Sequence, residues 1–248
     1  MTEHIKIQQD SAVLEIAFTR PDKKNALSNA MYRAATEALD GAQKDPTIRA
    51  VLFAAEGDAF TAGNDMADFA SAATGKGDGL AAHGFIEVLG RADKPIVAAV
   101  PGLAVGVGTA MLLHCDLVFL AEGATLSTPF VNLALVPEAA SSMLLPPLIG
   151  HVRAFAMFAL GEAISAAEAL SLGLANKVLP KDEVLPAARQ AGADAGNAAA
   201  RSDRSHQKVD ARQAGKRLQT NEAREALNAF AERRKPDLRN LCHKMAVR

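Results

Sequence analysis

From Pro95 to Leu113 the chain runs for 19 residues without a charge, and this stretch limits the fold more than any other. Its length alone would suit a membrane span. Pro101, Gly102, Gly106 and Gly108 punctuate it, which reads instead as a buried strand, a turn and a buried helix. The strand, Pro95–Val100, is apolar throughout, as strands covered on both faces are. The helix is expected over Gly108–His114, and Leu117–Ala121 is another buried strand. Strand, crossover helix and strand, repeated, imply a largely parallel sheet and an α/β fold.

The flanking segments extend that pattern. Ala12–Thr19 alternates, with Leu14, Ile16 and Phe18 on one face, and predicts a half-buried strand. The polar loop RPDKKNAL follows, and Ser28 is a good N-cap for a helix over Asn29–Gln43 that Asp45-Pro46 closes. Arg49–Ala55 predicts a strand, Asp65–Ser71 a short helix, Gly75–Gly79 (GKGDG) a loop suited to cover a site, and Leu80–Arg91 a helix. Beyond Pro137 the spacing becomes helical, over Glu138–Leu148, His151–Leu160 and Ser165–Leu172, with a last strand at Leu174–Leu179. The helices after Lys181 are thinly apolar and are expected to pack on another subunit.

Composition narrows the function classes. A chain of 248 residues, 49% hydrophobic and 22% charged, suits one folded domain. Two cysteines, Cys115 and Cys242, form no C-x-x-C pair, which fits a reducing compartment. The first residues, MTEHIKIQQD, carry charges where a signal peptide has an apolar core, and the last, AVR, resemble no peroxisomal address; both point to the cytoplasm. Residues Arg201–Arg248 hold 13 Lys/Arg against 6 Asp/Glu, so a net charge of −1 hides a basic tail. That tail has one aromatic, Phe230, too few to stack nucleic-acid bases, and reads as a solvated helical face.

Two glycine-rich turns are the candidate chemistry. EGDAFTAGND at Glu56–Asp65 and GLAVGVGT at Gly102–Thr109 each pass from strand to helix. Such turns leave backbone N–H groups unpaired and open to an anion. The glycines do not follow G-x-G-x-x-G, no histidine pair sits at i, i+4, and no G-x-S-x-G elbow occurs, which argues against dinucleotide, zinc and serine-hydrolase chemistry. An oxyanion hole fits: the N–H groups of Asn64 and Val107 could converge on one carbonyl oxygen, each being worth roughly 2.7–4 kcal/mol. Glu138 in LVPEAASS is the best carboxylate base, although Pro137 and Glu138 also read as the first turn of a helix.

FTAGND, KPIVAAVPGLAVGVG, Cys115-Asp116 and AEALSLGLANKVLP, in this order from about Ile5 to Pro180, resemble the enoyl-CoA hydratase/isomerase, or crotonase, superfamily. The resemblance implies a spiral of repeated ββα units with a helical C-terminal region, assembled as a homotrimer or a dimer of trimers (a hexamer). It implies a core over 1–195 that binds acyl-CoA and a helical oligomerisation region over 196–248. It also implies an acyl-CoA thioester as substrate rather than a cofactor, polarised by the N–H groups of Asn64 and Val107. Hydratases of the family carry two glutamates where this chain has Ala110 and Phe130. RPDKKNALSNAMY, AGND and FVNLALVPEAASS are instead similar to peroxisomal-type Δ3,Δ2-enoyl-CoA isomerases, whose base matches Glu138.

The expected reaction is therefore the shift of a 3-enoyl-CoA to a 2-enoyl-CoA through a dienolate, in fatty acid metabolism. Another crotonase-type reaction, such as hydration, and a catalytically silent acyl-CoA-binding protein are the alternatives. By resemblance, Lys24, Ala26 and Leu27 line the CoA channel with Ala62, Gly63, Asp65 and Met66, while Gly106, Phe130 and Leu133 border the acyl group. Arg234 or Lys235 would reach the nucleotide phosphates. Burial beside Phe130 and Leu133 should raise the Glu138 pKa.

Overall fold

Two sheets, joined strand by strand, carry the chain in the computed structural model, which describes residues 3–73, 80–133 and 135–201. The larger sheet begins with β1 (Ile5–Asp10) and β2 (Val13–Phe18), a tight antiparallel pair. It continues with β3 (Ala50–Ala55), β5 (Ile96–Val100), β7 (Leu117–Ala121) and β10 (Lys177–Leu179), in the order β1-β2-β3-β5-β7-β10 and parallel from β2 onward. The smaller sheet has the order β4-β6-β8-β9: β4 (Ala59–Thr61), β6 (Leu103–Val105) and β8 (Thr125–Ser127) are parallel, and β9 (Ile164–Ser165) closes it antiparallel.

From β3 onward, each winding of the chain gives one strand to each sheet and then turns into a helix. Thus β3 and β4 precede α2 (Met66–Ala73) and α3 (Ala82–Arg91), and β5 and β6 precede α4 (Val107–Leu112). After β7 and β8 come a 3₁₀ turn at Phe130–Leu133 and then α5 (Ser141–Ile149). The predicted Pro95–Leu113 run is therefore strand, strand and helix. The extra strand, β6, is three residues long, too short for any periodicity to announce it.

The Ser28 hydroxyl caps α1 (Asn29–Lys44) by accepting from the Met31 N–H, as predicted. That helix lays Met31, Tyr32, Ala35, Leu39 and Ala42 against the core. An aromatic chain crosses the interior from β4 to α1: Phe60 contacts Phe18, Phe18 contacts Phe53, Phe53 meets Phe85 edge-on, and Phe85 packs on Tyr32. Such pairs add about 0.5–1.5 kcal/mol each beyond their buried area.

Two expectations are corrected. Strand β2 is buried on both faces rather than half-buried. The reason is α8 (Lys181–Arg201), which packs on the large sheet of its own chain. Val184 and Ala188 enter the core, and Arg189 grips the buried Glu15 of β2 through two bonds of 2.7 and 3.0 Å. The helix continues to Arg201, and Gly196 sits against Arg49. Finally, Glu138 is not in a helical first turn: α5 starts at Ser141, after Ala139 and Ala140 in left-handed conformation at φ 53° and 55°. The helix expected over His151–Leu160 is α6 (His151–Phe155) continued as a π turn over Ala156–Leu160, and α7 (Ala166–Ser171) begins on a Ser165–Glu168 capping box. The expected loop Gly75–Gly79, Arg234, Lys235 and the region 202–248 lie outside the described residues.

Candidate active site

The parallel pairing of β4 with β6 sets the two glycine-rich turns side by side at the same end of the small sheet. Contact between them is direct, since a Cβ added to Gly63 would lie 3.2 Å from the Val105 carbonyl oxygen. Positive φ falls on Gly63 (96°) and Gly106 (58°), the residues just before Asn64 and Val107. Glycine carries this geometry without steric cost, so Val107 keeps a helical backbone as the first residue of α4. Its side chain is buried in the core.

The two N–H groups are left free for the same reason. Leu27 donates to the Gly63 carbonyl at 2.8 Å and accepts from the Asp65 N–H at 2.9 Å, which leaves the Asn64 N–H on the opposite side of the seam. Val107 stands at the start of a helix, where backbone donors have no intrahelical acceptor. Among the described residues, neither N–H donates to a backbone oxygen.

The channel residues expected at Lys24–Leu27 and Ala62–Met66 do lie together, zipped by backbone bonds from Ala62 N–H to Lys24 and from Leu27 N–H to Gly63. Their parts differ. Lys24 is exposed in a left-handed conformation and Ala26 is half-buried. Leu27 is buried in the core with both backbone groups spent on the seam. The Asp65 carboxylate is already occupied, ion-paired with Arg20 at 2.7 Å and accepting from Ala67 N–H at 2.9 Å. These bonds hold its pKa below the usual carboxylate range, the Arg20 hydrogen bond first. Met66 is 58% exposed at the start of α2. Phe130 approaches Gly106, with its ring 3.9 Å from where a Cβ would stand, and stacks on Phe158. Leu133 is the last residue of the same 3₁₀ turn.

Glu138 is half-buried on the segment leading to α5, and burial raises its pKa. The charge of His83, on α3, partly opposes that rise. Glu138 in turn acts on Tyr32, whose phenol is raised well above its ordinary pKa by burial first and by the Glu138 charge second. The Tyr32 hydroxyl donates to the Asn64 Oδ1 at 2.6 Å, so one side chain links the Asn64 turn to the surroundings of Glu138. A second link runs through His114, which follows α4: its Nε2–H donates to the Ala139 carbonyl at 2.8 Å. Burial lowers the pKa of that ring, and the bond to the Ala139 carbonyl partly opposes the fall.

Sequence reasoning missed Arg20, Tyr32, His83 and His114. Tyr32 alone left a signal, a polar tip on the apolar face of a predicted helix; the others are defined by tertiary contact. Asn25, read as a loop residue, is fully buried and holds the loop together, donating to the Glu56 and Ala59 carbonyls and accepting from the Arg20 N–H.

Set against known proteins, residues 8–240 match the family model described as enoyl-CoA hydratase/isomerase. The chain belongs to the enoyl-CoA hydratase/isomerase family. Within that family it is 35% identical to enoyl-CoA delta isomerase 2 of Rattus norvegicus over 182 residues, which cover 71% of this chain and 46% of the rat protein. The chain thus spans about half the length of that relative. It is 29% identical to a probable enoyl-CoA hydratase of Bacillus subtilis, covering 95% of this chain and 98% of that protein. Among solved structures, the enoyl-CoA hydratase/isomerase from Pseudoalteromonas atlantica superposes with a TM-score of 0.77 at 34% identity, covering 95% of this chain and 99% of that one. The enoyl-CoA hydratase/isomerase fold, a spiral of ββα units, is therefore the fold of this chain. Among its described residues, no helix is long and apolar enough to cross a membrane.

Proposed function

We propose that the protein converts a 3-enoyl-CoA to a 2-enoyl-CoA with a single carboxyl base. The observation that carries this reading is the pair of N–H groups without backbone acceptors on touching turns, with one half-buried carboxyl of raised pKa on a segment tied to the end of α4 by the His114–Ala139 bond. The N–H groups of Asn64 and Val107 hold the thioester oxygen. Glu138 removes a proton from C2, the electrons pass into a dienolate whose oxygen gains the negative charge, and the same carboxyl returns the proton at C4. Because the dipoles are already aimed where charge develops, little reorganisation is required. The proton goes and comes back on one side chain, so the reaction needs no added water and no redox partner.

Ala110 and Phe130, where hydratases of the family carry glutamates, are buried, the first in α4 and the second against Phe158. Neither can activate water. One observation favours hydration as a second reading: His83 acts on Glu138 and gives the site a second titratable group. Purified protein given 3-enoyl-CoA and, separately, 2-enoyl-CoA distinguishes the two. Double-bond migration without hydration supports the isomerase; rapid hydration of the 2-enoyl thioester without migration refutes it. Binding of both thioesters with no turnover would leave an acyl-CoA-binding protein.

Assembly belongs to the same proposal. Val152, Phe155 and Leu160 expose large apolar surface on α6 and the π turn, as faces between subunits do. A homotrimer or dimer of trimers would cover it, and light scattering of the full chain reads the number of subunits.

A further inference from the structure

We infer that Tyr32 is a positioning residue, whose hydroxyl bond to the Asn64 side chain fixes the turn that presents one of the two N–H donors. The inference rests on the acyl-CoA chemistry proposed for this site, and assigns the donor's alignment to a side chain on a different element.

The turn needs such a restraint. Asn64 follows a glycine at φ 96°, the type of position where the backbone has most freedom to rotate, and among the described residues its own N–H donates to no backbone acceptor. The backbone seam to Leu27 fixes the residues on either side. Those bonds hold the peptide planes before and after Asn64, and its side chain adds a third anchor, held at 2.6 Å by the hydroxyl of a buried side chain. Tyr32 is only 2% exposed and sits inside α1, its ring 5.7 Å from that of Phe85, which is locked in turn on Phe53 at 5.9 Å. A short bond to a rigid donor removes motion that a solvent-facing partner would permit.

The same arrangement bears on the base. A phenol has one proton, and Tyr32 spends it on Asn64 Oδ1. It therefore offers Glu138 no hydrogen bond that would stabilise the carboxylate, and the base stays strong. His83, on α3, is the other titratable group acting on Glu138.

Tyr32 is the chain's single tyrosine and there is no tryptophan, so the ultraviolet absorbance of tyrosinate reports on this phenol alone. Two measurements test the inference. In the first, Tyr32→Phe keeps the ring and removes the hydroxyl; kcat for double-bond migration should fall at least about tenfold, with KM changed less than about threefold. In an Asn64→Ala background, which retains the backbone N–H, the further Tyr32→Phe change should cost nothing more, because the two act through one bond. Independent, additive losses, or a Tyr32→Phe enzyme with unchanged kcat, overturn the inference. In the second, the alkaline titration of the phenol is compared between the parent protein and Asn64→Ala. Donation to Oδ1 stabilises the protonated phenol, so ionisation should move to lower pH when that acceptor is removed; identical titrations show that Asn64 does not hold the hydroxyl and overturn the inference. The titration needs no turnover. If neither thioester reacts, the proposed isomerase falls while the titration still decides whether Tyr32 holds the Asn64 side chain, and it decides equally if Tyr32→Phe folds poorly.

Discussion

Glu138 holds an acidic side chain where water is scarce, and two consequences follow. As the proposed base it must be ionised, so kcat/KM should decline as pH falls through a pKa above the ordinary glutamate value of about 4.3. Glu138→Gln should lower kcat at least about 100-fold while leaving KM near its parent value, as read by steady-state kinetics with a 3-enoyl-CoA. The stability effect has the opposite sign. A carboxyl whose folded pKa is raised favours the fold in its protonated form; that contribution is complete below the unfolded pKa and is lost as pH rises through the folded one. Glu138→Gln should therefore melt at a higher temperature than the parent near neutral pH, and the advantage should vanish in acid. A site that is more stable when disarmed is a common mark of function kept at the expense of stability.

At the scale of elements, the site is made by strand ends and tied by side chains from elsewhere. His114 fastens the end of the α4 segment to Ala139, beside the base and beside two alanines in left-handed conformation. Such a conformation costs an alanine roughly 1–2 kcal/mol, so the segment persists because its surroundings hold it. The neutral His114 has a lowered pKa, which means its contribution is present above the unfolded histidine value of about 6.5 and is lost as pH falls through the folded one. Thermal melts of the parent should show this loss on mild acidification, and His114→Ala should remove it while lowering kcat. The turns admit a sharper test. Gly63→Ala would impose φ 96° on a side chain and press its Cβ to 3.2 Å from the Val105 carbonyl. Activity should fall by at least about 100-fold, the scale of losing one oxyanion donor, with circular dichroism unchanged.

How far the sequence could be read also divides by element. The strands of the large sheet and the capped helix α1 announced themselves through apolar runs and Ser28. The three-residue strands of the small sheet could not, since a run that short has no period; two glycines marked where it ends instead. The Glu138 segment misled because Pro-Glu is a common helix start, and nothing in Ala139-Ala140 declares a left-handed turn. Tyr32, His83 and His114 were invisible as site residues for a different reason: each owes its place to a partner far away in the chain.

On the scale of the whole molecule, the spiral makes function a matter of registration between the two sheets. The large sheet is covered by α8, whose Arg189 neutralises Glu15 from the far end of the described chain. Arg189→Ala would leave a buried carboxylate with Gln8 as its remaining side-chain contact among the described residues. Because Arg189 is itself partly exposed, the cost should be about 1–2 kcal/mol, read as a lower urea midpoint. The turns of the proposed site lie on the other sheet, so kcat of the folded fraction should be unchanged. The central claim, that a single carboxyl carries a proton between two carbons of one acyl chain, is tested most directly with a 3-enoyl-CoA deuterated at C2 and mass spectrometry of the product. The account predicts a 2-enoyl-CoA retaining deuterium at C4, moved there by Glu138; a product heavier by one water, with its double bond gone, would contradict it.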